Sequence, residues 1–145
     1  VYSKWHKRKK NYKKQILGKP KSQFEESLAE QIAQLGIPVK YETERLEYIQ
    51  PAQKRKYLID FDLGPFLIEA KGYLTKEERK KLIWIKESIN KELRIVFQNA
   101  SLLIYKGSKT TYGDWATKQG FKWAEGRIPK EWLMEAKEWW EKQKK

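Results

Sequence analysis

The sequence holds no cysteine and one histidine, His6. A disulfide framework, a thiolate zinc site and a cysteine nucleophile are therefore excluded. A lone imidazole in a basic stretch likewise offers no basis for Ser-His-Asp catalysis or a histidine-rich metal site. Whatever chemistry the chain performs must come from carboxylates, lysines, hydroxyls and a hard cation that prefers oxygen ligands. Long apolar runs are missing too: none approaches the ~20 residues needed to span a bilayer, and the basic beginning lacks the apolar segment of a signal peptide. An intracellular protein with no membrane partner and no organic cofactor is the expectation.

Acid is scarce at one end only. The 145 residues include 32 Lys plus Arg against 19 Asp plus Glu, a formal net charge of +13. The first acid is Glu25, preceded by Lys4, Lys7, Arg8, Lys9, Lys10, Lys13, Lys14, Lys19 and Lys21. Such asymmetry suits a polyanion, because each cation that neutralises a phosphate releases condensed counterions. Nucleic acid is the leading partner, and a merely solubilising Lys-rich surface is the alternative. Residues 1–21 mix these cations with Tyr2, Trp5 and Tyr12 and show no sustained apolar period. They read as a flexible arm in which Lys7, Arg8, Lys9, Lys10, Lys13 and Lys14 meet phosphates while the rings stack on bases or sugars. A chain of this length supports one domain or one subunit of a compact oligomer, so residues 22–145 are expected to form a single further unit.

Periodicity supplies the elements. Phe24, Leu28, Ile32 and Leu35 form an apolar stripe on a helix that starts at Ser22 and stops at Gly36. Ser22-x-x-Glu25 has the spacing of a capping box, in which the glutamate reaches back to the serine amide. Residues 38–49 alternate as two short strands or one bent strand, and residues 50–56 read as a polar connector. A helix over about residues 75–90 has its own capping box, Thr75-x-x-Glu78, and a buried face of Leu82, Ile85 and Ile89. Leu93 to Phe97 is apolar almost throughout, the pattern of a central strand covered on both faces. Leu102 to Tyr105 reads as another short strand, and Tyr112 to Gln119 as a short helix ended by Gly120. Pro129 opens a final helix in which Trp132, Met134, Trp139 and Trp140 pack. The order implies an α/β fold, a mixed sheet flanked by helices.

The stretch YLIDFDLGPFLIEAKGY at residues 57–73 is apolar yet contains Asp60, Asp62, Glu69 and Lys71. Gly64-Pro65 is its turn signal. A tight hairpin there pairs Leu63 with Phe66, Asp62 with Leu67, Phe61 with Ile68, and Asp60 with Glu69. Asp60, Glu69 and Lys71 then share one face, while Tyr57, Ile59, Phe61, Phe66, Ile68 and Ala70 point into a core. Two carboxylates opposed across a ladder repel, and burial raises the cost unless something neutralises them. Lys71 offsets one charge; a divalent cation offsets both. Asp60, Glu69 and the carbonyl of Ala70 offer oxygen ligands to Mg2+ or Mn2+. Lys71 is placed to orient or deprotonate an attacking water, or to stabilise charge developing on a phosphate. The alternative is a surface hairpin whose salt bridges only solubilise one face.

Ser22-x-x-Glu25, Gly36-Ile37, Tyr41-Glu42, Pro51-Ala52, Asp60-Phe61, Glu69-Ala70-Lys71-Gly72, Arg79-Lys80-Lys81, Arg94-Ile95-Val96-Phe97, Tyr105-Lys106-Gly107-Ser108, Thr111-Tyr112-Gly113, Ile128-Pro129 and Glu131-Trp132 form a series over residues 22–135. That series resembles the bacteriophage endonuclease I family of Holliday-junction resolvases, within the PD-(D/E)xK nuclease superfamily. The resemblance implies a PD-(D/E)xK nuclease-like core and a Mg2+-dependent enzyme that cuts branched DNA such as four-way junctions. Its catalytic set would be Glu25, Asp60, Glu69 and Lys71, with Glu25 as a second-metal ligand beside Asp60, Glu69 and Ala70, and Mn2+ as a substitute ion. It further implies an intertwined, segment-swapped homodimer in which residues 22–49 pass to the partner and residues 50–56 form the bridge. Arg79, Lys80 and Lys81 would add to the DNA grip, and the setting would be the cytoplasm of an infected host cell. Ile59 stands where the motif's name expects proline, the turn between Asp60 and Glu69 is one residue shorter than usual, and Asp62 is an extra acid. A non-catalytic basic DNA-binding protein and a duplex-specific nuclease of the same superfamily are the competing readings.

Overall fold

The computed structural model describes residues 16–17, 20–50 and 53–144. The arm cations Lys7, Arg8, Lys9, Lys10, Lys13 and Lys14 lie outside the described residues. Among those described, the chain runs β1 (Ile16–Leu17), α1 (Gln23–Gln34), β2 (Val39–Lys40), β3 (Arg45–Gln50), β4 (Gln53–Leu58), β5 (Phe61–Asp62) and β6 (Phe66–Lys71). It continues through α2 (Lys76–Ser88), β7 (Glu92–Phe97), α3 (Tyr112–Lys118), β8 (Trp123–Glu125) and α4 (Lys130–Gln143).

One four-stranded sheet, in the order β5-β6-β7-β8, organises the whole. β5 is antiparallel to β6, whereas β7 is parallel to both β6 and β8, so the sheet is mixed as expected. Its faces are covered by different helices, which is why β7 tolerates consecutive apolar residues. Phe66, Ile68 and Val96 pack with Leu28 and Ile32 of α1 and with Leu133 and Ala136 of α4. On the other face Leu67, Ile95 and Phe97 pack with Leu82 and Ile85 of α2 and with Trp115 and Ala116 of α3. Arg94, 1% exposed, ties α4 to β7: its guanidinium donates to Glu135 and Glu92 and lies 3.7 Å from the centre of the Phe66 ring. The helix starts follow their capping signals, since Thr75 and Thr111 each form a complete capping box.

Several expectations are corrected. Residues 53–56 are not a connector but the first part of β4, which pairs antiparallel with β3 from Arg45↔Leu58 to Gln50↔Gln53. One face of the ladder packs through Leu46, Tyr48 and Tyr57, and on the other the opposite charges Glu47 and Lys56, both exposed, are directly paired. Leu102 to Tyr105 is a turn rather than a strand; Ile104 N–H bonds Thr110 O and Tyr112 N–H bonds Leu102 O, so local contacts satisfy the backbone. Within the presumed arm, Ile16–Leu17 pairs in parallel with Val39–Lys40. β8 has only three residues, too few to display a period. Met134 is 39% exposed because the buried stripe of α4 runs through Leu133 and Ala136 instead.

The Gly64-Pro65 hairpin holds the expected register, with Phe61↔Ile68 and Asp62↔Leu67 paired and Leu63 N–H bonded to Phe66 O. Helix α4 closes over this turn, and Trp140 Nε1–H donates to Leu63 O at 2.7 Å. Gly64 has φ +105°, and a Cβ there would lie 2.6 Å from the Trp139 ring. Gly64→Ala therefore meets both a disfavoured backbone conformation and an occupied space. We expect it to destabilise the fold by about 2 kcal/mol or more, seen as a lowered Tm in calorimetry.

Candidate active site

The acids meet where the chain changes sheets. β4 ends at Leu58, and β5 begins its ladder with Phe61, so the backbone of Asp60 is free of strand pairing on the β6 side. Asp60 N–H instead donates to Glu69 Oε1 at 3.0 Å, and Ala70 N–H donates to Asp60 Oδ2 at 2.9 Å. The expected opposition of Asp60 and Glu69 is thus realised as two reciprocal bonds between backbone and carboxylate. The same bend reverses the alternation of side chains. Phe61 joins the α1 side of the sheet, whereas Ile59 packs on the α2 side and Tyr57 turns its hydroxyl to the acids. The expectation that Tyr57, Ile59 and Phe61 share a core face is therefore corrected.

Glu69, in the middle of β6, is 1% exposed. Its second oxygen, Oε2, accepts from the Tyr57 hydroxyl at 2.8 Å and lies 3.5 Å from Lys71 Nζ. Lys71, two residues on and 7% exposed, also donates to the Tyr57 hydroxyl at 3.2 Å and to Glu78 Oε1 at 3.4 Å. Glu78 belongs to the first turn of α2, so the cap that starts this helix also anchors the lysine.

Glu25 approaches Asp60 from the first turn of α1. Ser22 Oγ accepts from Glu25 N–H, but the return bond runs from the serine hydroxyl to Glu25 Oε1, not from the serine amide. The capping box is therefore incomplete, and the other oxygen of Glu25 accepts from the Tyr41 hydroxyl. Carboxylate oxygens of Glu25, Glu42 and Asp60 lie within 4.8 Å of one another. Glu42 has φ +51°, in the left-handed region that a residue with a side chain rarely adopts. Its N–H donates to Asp60 O at 3.1 Å and its carboxylate lies 3.3 Å from Lys21 Nζ. Such backbone strain gathers at functional sites. Glu42 was not among the candidates, and only the Tyr41-Glu42 pair in the resemblance pointed toward it.

The remaining candidates lie outside this cluster. Asp62 accepts from Gly64 N–H and pairs with Lys91 at 2.9 Å, which commits it to the hairpin turn. Arg79 donates to the carbonyls of Leu74 and Ile104, stapling the turn after β7 to α2, while Lys80 and Lys81 are exposed. Ser22, Glu25, Ala70, Lys71, Tyr73 and Glu78 line an open cleft of about 610 Å³ beside the acids. Among the described residues no helix is long and apolar enough to cross a membrane.

Burial, and then the charge of Glu69, push Asp60 up to about 8. Glu69 is also raised by burial, despite Lys71, Tyr57 and the Asp60 amide. Burial alone would lower Lys71, but Glu69, Glu78 and Asp60 together hold it above its ordinary value. Burial and Glu69 likewise keep Tyr57 a neutral phenol. The donor set is all oxygen, crowded and short of positive charge, which fits a hard divalent cation rather than zinc or copper.

A mixed α/β sheet covered on both faces thus brings together an acid pair, a lysine two residues on and a third carboxylate from a preceding helix. The profile of the phage endonuclease I family matches residues 5–144. Over 123 residues the chain is 36% identical to endonuclease I of Escherichia phage T7, covering 83% of each chain. Over 119 residues it is 34% identical to endodeoxyribonuclease 1 of Enterobacteria phage T3, covering 81% of this chain and 78% of that one. The chain belongs to the phage endonuclease I family.

The raised Asp60 carries a signature in stability. In the metal-free protein the folded state keeps a proton that the unfolded chain releases near pH 4, so stability falls as pH rises from there toward about 8. Asp60→Asn is expected to flatten this slope. Melting followed in chelator from pH 5 to pH 8 should show the mutant gaining on the parent at the alkaline end.

Proposed function

We propose that this protein is a divalent-metal-dependent endodeoxyribonuclease that resolves four-way and other branched DNA junctions. The observation that carries the reading is that Glu25 lies within 4.8 Å of Asp60, which bonds to Glu69, which pairs with Lys71, in a member of a family whose relatives are named for endonuclease activity. Asp60 stands between two groups of oxygen donors. In this reading Asp60, Glu69 and the Ala70 carbonyl hold Mg2+, with Mn2+ as a substitute, while Glu25 and Glu42 hold a second ion against Asp60. A bound ion supplies Lewis acidity toward phosphate and water and neutralises the crowded acids. Lys71, held cationic by Glu69, Glu78 and Asp60, faces the phosphate and stabilises negative charge as it develops there.

Basic residues supply the grip: the arm at residues 1–21, with Lys80 and Lys81 of α2. Resolving a four-way junction takes two symmetric cuts, which favours a homodimer. Exchange of residues 22–49 across a bridge at 50–56 is part of this reading, and it requires the β3–β4 pairing seen in the single chain to open. Action in the cytoplasm of an infected host follows from the phage relatives. A non-catalytic DNA-binding protein would have no use for Glu69 and Lys71 buried side by side.

Incubated with Mg2+, the protein is expected to cut a four-way junction and spare a linear duplex of equal sequence; equal cutting of both would make it a duplex nuclease. Asp60→Asn and Glu69→Gln should each slow junction cleavage by about a thousandfold or more while gel-shift affinity in chelator is kept, because the basic surface is untouched. Cutting by either mutant within about tenfold of the parent refutes the metal assignment.

Removing residues 1–15 takes away Lys4, Lys7, Arg8, Lys9, Lys10, Lys13 and Lys14 but leaves β1 in place. If half of these touch phosphates, the slope of log K against log salt should fall by roughly three units. The cleavage rate at saturating protein should change far less. A slope equal to the parent's would show that the arm never reaches the DNA.

A further inference from the structure

We propose that Tyr57 is a positioning residue of this site, whose hydroxyl sets the Glu69 carboxylate and the Lys71 ammonium relative to each other and couples both to the β3–β4 hairpin. The inference rests on the nuclease reading above and concerns how its two buried charges are held in place.

The Tyr57 hydroxyl bonds to both: it donates to Glu69 Oε2 at 2.8 Å and accepts from Lys71 Nζ at 3.2 Å, closing a triangle whose third side is the ion pair. The direct separation of Lys71 Nζ and Glu69 Oε2 is 3.5 Å, well beyond the ~2.8 Å of a tight charge-assisted bond. An ammonium drawn into such a bond would spend its charge on the carboxylate and not on an incoming phosphate. The hydroxyl competes for both partners, lying nearer to each of them than they lie to one another. At the same time it completes the anchoring of Glu69, whose other oxygen is held by Asp60 N–H at 3.0 Å. With a donor on each oxygen, the carboxylate plane cannot turn.

A phenol hydroxyl is only as well placed as its ring, and this ring is fixed by its strand. Tyr57 pairs with Leu46 across the β3–β4 ladder and meets Tyr48 edge to face, with ring centres 6.5 Å apart. The position of the hairpin is thereby passed to Glu69 and Lys71 through one side chain. Tyr41 does the corresponding work for Glu25, donating to its carboxylate, but contacts no catalytic cation. Outer-shell partners of this kind typically carry ten- to a hundredfold in activity or metal affinity.

Tyr57→Phe removes the oxygen and keeps the ring. The full-length parent and variant are compared by melting temperature, by junction affinity in chelator, by single-turnover cleavage at saturating protein and Mg2+, and by calorimetric titration with Mn2+. We expect the variant's cleavage rate to fall ten- to a hundredfold and its Mn2+ affinity to weaken at least about fivefold, with junction affinity within about twofold of the parent's. Rates and Mn2+ affinities equal to the parent's would overturn the proposal. So would a loss of rate matched by equal losses of junction affinity and melting temperature, which would assign Tyr57 to packing. A parent that cuts no DNA sinks the nuclease reading alone, and the Mn2+ titrations of the two proteins then decide the role of Tyr57.

Discussion

Keeping the carboxylate of Glu69 inside the protein is the constraint on which the rest of the structure depends. A lone buried carboxylate is costly, and removing one partner of a buried charge is costlier than exchanging both for apolar groups. Here the partners come from three directions. Asp60 contributes a backbone N–H, Tyr57 a hydroxyl, and Lys71 a charge that is itself held by Glu78. Each requires a separate feature of the fold: a break between β4 and β5, a hairpin that lies close to β6, and a helix α2 that begins with Thr75 and Glu78. Two of these features, the hairpin and α2, also fill the core, so packing and site share the same elements. They make sense together as the support of a site.

The sheet meets this demand because its two faces are filled independently. Phe66 and Ile68 face the α1 and α4 layer, and Leu67 faces the α2 and α3 layer, so the alternation along β6 carries Glu69 and Lys71 toward the second layer at its edge. The acids therefore sit where packing ends and a cleft begins. Arg94 and the two tryptophans over Gly64 hold α4 against the opposite face. Among the described residues other than glycine only Glu42 has a positive φ, and its left-handed backbone brings its carboxylate beside Glu25 and Asp60.

The site is assembled from two stretches of chain. Ser22, Glu25, Tyr41 and Glu42 come from the first, and Asp60, Glu69, Lys71 and Glu78 from the second. They are joined by short backbone contacts, Glu42 N–H to Asp60 O and Ile59 N–H to Glu44 O. A partner chain supplying the first stretch would make the same contacts, so exchange of that segment asks nothing new of the chemistry.

Local features were legible without coordinates. The helix starts at Ser22, Thr75 and Thr111 and the register of the Gly64-Pro65 hairpin arise from contacts among residues a few positions apart, while the stripe of α1 and the double-sided burial of β7 show in their apolar patterns. Asp60, Glu69 and Lys71 could be singled out because charge in an apolar stretch needs a reason. What periodicity missed was decided by contacts distant in sequence or by backbone that departs from regularity. The bend at Ile59 and Asp60 reverses side-chain parity and delivers Tyr57 to the acids; pairing with β3 turns a polar connector into β4; and the unusual φ of Glu42 brings in a carboxylate that no spacing rule selects. A sequence by itself determines which residues repeat at helical or strand intervals and which types can hold charge. Only the tertiary structure decides where an interval breaks, because the break is stabilised by partners, here Glu44 and Glu69 for the backbone at Ile59 and Asp60, that the local sequence does not contain.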